Sequence, residues 1–157
     1  MVKTKADEMR RIATVRVRGK VHVRGEIADT LRLLKLNKVN HCVILDNRPQ
    51  YKGMLNKVKD YITWGEINTE NMENLLVKRG RMAGDKRINI DHKEVKAFAK
   101  DFMNFKTELA DISLKPVFRL KPPSKGYERE GIKKPYSVGG SLGYRGDKIN
   151  DLLGKMA

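Results

Sequence analysis

The sequence predicts an α+β chain, a small β-α-β-α-β core followed by helical and extended additions. Three observations carry this reading. Short β-branched runs at 12–18, 39–47 and 62–67 alternate with two stretches of helical apolar spacing. The clearest amphipathic stripe comes later, within residues 91–103. Beyond Lys115 periodicity gives way to Pro, Gly, Ser, Tyr and Lys.

The first strand, Ile12 to Arg18, sets Ile12, Thr14, Arg16 and Arg18 on one side and Ala13, Val15 and Val17 on the other. Gly19 breaks it and leaves Lys20, His22 and Arg24 in a loop or a continued edge. Ile27, Leu31 and Leu34 fall at i, i+4 and i+7, the stripe of a helix. "VNHCVILDN", Val39 to Asn47, is a second and well-buried strand. Asp46 and Asn47 then precede Pro49 in the order of cap and first helical residue, and Tyr51, Leu55, Val58 and Ile62 give the next helix its face. "ITWGEI" is a third strand, weakened by Gly65.

A unit of this size buries only about 60% of its unfolded surface, so later segments are expected to support it. Thr69 caps a helix carrying Met72, Leu75 and Leu76, with Gly80 at its end. Asp91 and Glu94 resemble a capping box before the stripe Val95, Phe98, Ala99, Phe102 and Met103. Val117 to Leu120 offers one more strand, and Ile149, Leu152, Leu153 and Met156 mark a short closing helix. Lys121 to Arg145, with no periodicity, reads as an arm ordered by a partner. The expected organisation is a basic N-terminal segment (1–11), a core (12–67), a helical extension with a basic loop at 78–90 (68–112), and a basic arm with a terminal helix (113–157).

Thirty-four Lys and Arg against 19 Asp and Glu leave a net charge of +15 on 157 residues. The excess sits at the two ends: residues 1–24 hold 8 basic and 2 acidic groups, and residues 113–157 hold 10 and 4. A near-balanced body with cationic ends suits a protein lying against a polyanion. Membrane is disfavoured as that polyanion, because no segment approaches a spanning length of apolar residues. The first residues lack the apolar run of a secretory signal, and a single cysteine forms no internal disulfide, so a reducing cytosol is expected.

Catalytic constellations are scarce. The glycines of "VGGSLGYRG" do not form a dinucleotide-binding turn, since Ser141 stands where a glycine is needed. His22, His41, His92 and Cys42 lack metal-ligand spacing, and Cys42 reads as a buried structural thiol. Asp46 reads as an Asx turn before Pro49 rather than as a catalytic carboxylate. No catalytic residue, metal, cofactor or small-molecule substrate is therefore expected. Cations suited to phosphate are abundant. The candidate RNA contacts are Arg16, Arg18, Lys20, His22 and Arg24; Lys38 and His41; Lys52 and Lys57; and Lys78, Arg79, Arg81, Lys86 and Arg87. The arm adds Lys121, Lys125, Lys133, Lys134 and Arg145, with Tyr136 and Tyr144 placed to stack on bases.

Thr30-Leu31, Leu34, Leu36, Lys38, His41 and Val43, then Met54-Leu55, Val58 and Tyr61-Ile62 after a ten-residue gap, form a fixed-spacing signature. With "KGMLNKV" it resembles the ribosomal protein L-thirty family of the large ribosomal subunit. "KRG" at 78–80 and "GGSLGYRGDKIN" at 139–150 resemble the longer archaeal-type members. The resemblance implies a ferredoxin-like core of three antiparallel strands in order 3-1-2, with both helices on one face. It also implies a non-catalytic structural protein of the cytoplasmic ribosome that binds large-subunit rRNA, with 5S rRNA and neighbouring ribosomal proteins as further candidate partners. On this view the valines of the first strand face the helices and Arg16 and Arg18 project from the other, RNA-facing side. The rival readings are an RNA-processing enzyme and an RNA chaperone or regulator acting off the ribosome.

Overall fold

A computed structural model describes residues 10–157, so all of the expected N-terminal segment except Arg10 and Arg11 lies outside the described residues. The strands β1 (Arg11–Arg16), β2 (His41–Asp46) and β3 (Ile62–Glu66) alternate with the helices α1 (Gly25–Leu33) and α2 (Pro49–Lys57). There follow α3 (Thr69–Arg79), α4 (His92–Met103), β4 (Val117–Arg119), β5 (Gly143–Tyr144) and α5 (Ile149–Met156). Together the strands form one mixed sheet in the order β4-β2-β1-β3-β5.

β1 runs antiparallel to both neighbours, with Val15 opposite Cys42 on β2 and Thr63 on β3. The three-stranded antiparallel sheet expected from the sequence is therefore its centre. The expectation is corrected at both edges, where β4 pairs antiparallel with β2 and β5 pairs parallel with β3. An open edge presents unpaired N–H and C=O groups, and here chain from far down the sequence satisfies them. β4 falls within the strand expected at Val117 to Leu120, whereas the two-residue β5 leaves too little periodicity to be found locally.

The faces of β1 are also corrected. Ala13 and Val15 pack with Cys42, Ile44 and Phe118 against α3, α4 and α5. Leu31 and Leu34 from α1 and Leu55 from α2 pack instead with Val43, Leu45 and Ile62. Ile12, Thr14 and Arg16 lie opposite Leu45, Val43 and Ile62, so they share the α1–α2 face. Both faces of the sheet are thus covered by helices. A period of two separates the faces of a strand but does not say what covers each.

Several local expectations shift. α2 ends at Lys57, and Ile62 belongs to β3. Asn68 rather than Thr69 caps α3, its side-chain oxygen accepting from the Asn71 N–H at 2.9 Å. Asp91 precedes α4 without a side-chain capping bond. Asp46 is an ion-pair partner of Arg11 and Arg48. The Arg11 guanidinium also lies over the Phe102 and Phe105 rings at 4.0 and 4.1 Å, tying β1 to α4 and the chain after it. Gly65 has a specific cause: a Cβ there would lie 2.0 Å from the Gly146 carbonyl oxygen.

The arm is tied to the body. Lys121 N–H donates to the Met156 carbonyl at 3.0 Å, and Ser124 N–H to that of Lys155 at 3.1 Å. Tyr127 donates its hydroxyl to Asn40 Oδ1 at 3.2 Å, and β5 brings the far end of the arm into the sheet. Ile149, Leu152, Leu153 and Met156 of α5 are all buried.

Candidate nucleic-acid interface

The antiparallel pairing of β1, β2 and β4 brings Arg16, His41 and Arg119 to one end of the sheet, with His41 directly opposite Arg119. His41 is half-buried there, and Nδ1 has no partner among the described residues. Burial first, and then the charges of Arg119, Lys38, Arg16 and Lys20, hold its imidazole below the ordinary histidine range. That ordering of causes records a crowd of cations around one ring. Lys20, His22 and Arg24 stand exposed in the loop after β1, and Lys38 in the loop before β2. Arg18 is half-buried, its guanidinium 5.2 Å above the Tyr61 ring.

From Arg119 the basic surface continues to the α3–α4 loop. Asp85 pairs with Lys115 at 2.5 Å and Arg119 at 3.5 Å, and the Lys115 N–H donates to the Arg81 carbonyl at 2.8 Å. The Lys115 hydrogen bond, and then the Arg119 charge, hold the Asp85 carboxyl below the usual carboxylate range. Segments 18–24, 38–41, 81–87 and 115–119 thereby form one strip with Asp85 as an internal counter-ion. Lys115 and Arg119 were not among the sequence candidates. Their signal was the basic spacing of "KPVFRLK", which gains meaning only when β4 docks beside His41.

Two sequence candidates are buried within the fold. Arg16 is only 4% exposed, and its guanidinium donates to the carbonyls of Leu36 (2.7 Å), Arg18 (2.9 Å) and Gly19 (3.1 Å). Three of its five N–H donors thereby close the end of β1. Arg145 is 5% exposed and donates to Glu128 (2.6 Å), Thr63 Oγ1 (2.8 Å) and the Ser141 carbonyl (2.9 Å). Tyr136 lies against it, with the guanidinium carbon 4.7 Å from the ring centroid, so that face of Tyr136 is occupied.

The other candidates lie apart from the strip or along its margins. Lys52 and Lys57 are exposed on α2, Lys57 lying 3.8 Å from Glu26. Lys78, Lys86 and Arg87 are exposed and Arg79 and Arg81 half-buried. Lys121, Lys125 and Lys133 are exposed on the arm, and Lys134 pairs with Glu130 at 2.6 Å. Tyr144 is exposed and donates its hydroxyl to Glu66. Cys42 is fully buried, and desolvation pushes its thiol up to about 12, so it stays protonated and inert. Among the described residues no cluster of His, Cys, Asp and Glu is arranged to hold a metal, and no helix is long and apolar enough to cross a membrane.

Residues 12–62 match the family model described as ribosomal protein L30p/L7e. The chain is also 52% identical over 150 residues to the large ribosomal subunit protein uL30 of Methanococcus vannielii, covering 92% of this chain and 97% of the relative. The chain belongs to the L30p/L7e family. Its likeness to uL30 proteins extends to Methanopyrus kandleri, at 51% identity over 148 residues (89% and 99% covered), and Nanoarchaeum equitans, at 46% over 147 (90% and 95%). These alignments run well past the matched core, so the L30p/L7e likeness includes the later helices and the arm. L30p/L7e proteins are structural ribosomal components of the large subunit and not enzymes.

Proposed function

We propose that this member of the family binds large-subunit rRNA through the cationic end of its sheet, chiefly by phosphate contacts and shape, and holds folded RNA segments in place. The observation that supports this most is the gathering of four sequence-distant basic segments around His41 and Arg119. Arg18, Lys20, Arg24, Lys38 and Arg119 are the principal contacts. Lys86, Arg87, Lys125 and Lys133 extend them, with the arm ordered further on RNA. The 5S rRNA and neighbouring large-subunit proteins are proposed as further partners in the cytoplasmic ribosome.

Filter binding of the isolated protein to large-subunit rRNA tests the mechanism. With about six to ten phosphates contacted, affinity falls by about 10³ to 10⁵ between roughly 50 and 200 mM salt. A flat salt response counts against the phosphate surface. Cross-linking on intact subunits reads which RNAs and proteins lie against it, and sedimentation with the large subunit separates a resident component from a free RNA chaperone.

A further inference from the structure

A pocket of about 210 Å³ lies at the end of β1, walled by the loop after that strand, by α1 and by the chain that follows α1. Its lining is Arg16, Lys20, Val23, Ala28, Arg32 and Asn37: three cations, one amide and no carboxylate. Other clefts that hold a cation also hold an acid, Asp46 beside Arg11 in one and Glu66 beside Lys52 in another. Here like charges face one another across a small space, an arrangement that costs free energy until an anion joins them.

Arg16 decides what kind of anion fits. It is 4% exposed and forms the floor, and buried charges are ordinarily paired with an opposite charge, yet its partners among the described residues are carbonyls alone. Nε, Nη1 and Nη2 each give one N–H to the fold, which leaves one N–H on each Nη. Two such donors on one planar guanidinium, with Lys20 and Arg32 in the walls, suit the several oxygens of a phosphate group. The three carbonyls hold the guanidinium in place beforehand, so little side-chain freedom is lost on binding. Arg32 has donors to spare: its bond to Asp29, at 3.1 Å, is an exposed i,i+3 pair, and such pairs hold weakly. The volume lies below the roughly 300 Å³ at which clefts for larger ligands begin, so the pocket takes a phosphate group and not a whole nucleotide.

We infer that this pocket binds one backbone phosphate of RNA, with Arg16 as the buried donor and Lys20, Arg32 and Asn37 around it. The inference rests on the rRNA-binding reading and deepens it: beside the exposed cations of the strip stands one preorganised point of attachment. Arg32 and Asn37 thereby become RNA contacts that neither the sequence candidates nor the strip includes.

The test follows the Arg16 Nε–H signal of full-length protein by NMR while sodium phosphate, or sodium chloride at equal ionic strength, is added. Phosphate shifts the signal to saturation and chloride does not. R32A, at an exposed position of α1 that leaves the fold intact, weakens phosphate binding by roughly tenfold, the effect of losing one charge-assisted hydrogen bond. Large-subunit rRNA displaces the phosphate. In filter binding, phosphate lowers rRNA affinity more than chloride does at the same ionic strength, and R32A removes that excess. Equal and unsaturating responses to the two salts, or unchanged phosphate binding in R32A, overturn the inference. Phosphate that rRNA fails to displace also overturns it, making the pocket a site for the free anion. Salt-dependent rRNA binding with no excess inhibition by phosphate removes the pocket and leaves the strip standing; a flat salt response removes the strip, and the pocket with it.

Discussion

Arg16 and Arg145 are both buried, one on each face of the sheet, and they are accommodated differently. Arg16 meets only neutral acceptors, the carbonyls of Leu36, Arg18 and Gly19. Arg145 meets the Glu128 carboxylate as well as Thr63 and Ser141. The charge of Arg16 is therefore uncancelled and adds to the potential at the cationic end, where it is one of the charges that disfavour protonation of His41. The charge of Arg145 is cancelled within the fold, and its pair pins the arm to β3. Equal residues in equally basic stretches thus serve two ends: one sustains the positive field, the other secures the chain.

The largest effect expected on breaking this contrast is at Arg145. R145A leaves Glu128 half-buried without its cation and destabilises the fold by roughly 3 kcal/mol, read from denaturant unfolding. A loss near zero would show that the arm contributes nothing to the folded state. R16A strands neutral carbonyls only, so it costs less, about 1 to 3 kcal/mol. R16K restores little of this, because one ammonium does not reproduce a planar fork reaching three carbonyls. R16A also raises the His41 pKa by removing a like charge, which an NMR titration of the imidazole detects.

The two faces also separate by pH. Burial pushes the Glu128 carboxyl up, but the hydrogen bonds from Arg145 and Ser141 outweigh it and hold it below the ordinary carboxylate range. A depressed carboxyl contributes stability that is present above the unfolded pKa and is lost as pH falls through the folded one. R145A therefore flattens the acid limb of a stability profile measured by thermal melts. His41, a base with a depressed pKa, takes up protons more readily when unfolded, so its contribution declines as pH falls from the ordinary histidine range toward its folded pKa. An H41Q variant loses that near-neutral slope and keeps the acid limb of Glu128.

The smallest effects on folding are at the exposed lysines of the strip. K20A and K38A change stability by no more than about 0.5 kcal/mol, yet each lowers the salt slope of RNA binding by about 1 if its side chain meets a phosphate. Slopes unchanged in both variants would move the interface elsewhere.

The central elements were legible in the sequence because each carries several apolar residues at a clear period: Leu31 and Leu34 on α1, Val43 and Leu45 on β2, and Val95, Ala99 and Phe102 on α4 are buried as their spacing requires. Of the edge strands, β4 falls where a strand was expected at Val117 to Leu120, but β5 was not legible, since Gly143–Tyr144 has no period to read. Among the candidate contacts, Lys20, Arg24 and Lys38 stand in solvent as their loop positions suggested, whereas Arg16 and Arg145 do not. Composition records that a side chain is cationic and is silent on whether a carbonyl or a carboxylate from 20 or 17 positions away lies within reach.

The sequence by itself determined the alternation of strand and helix, the excess of positive charge and the absence of a motif for catalysis, because these depend on residue type and near-neighbour spacing. Only the tertiary structure decided which helices cover which face of β1, that Arg119 joins His41, and that Tyr144 lies beside Trp64. Each of these is a contact between segments far apart in the chain, set by β4 and β5 closing the sheet edges, and strand pairing over such separations leaves no local periodicity to read.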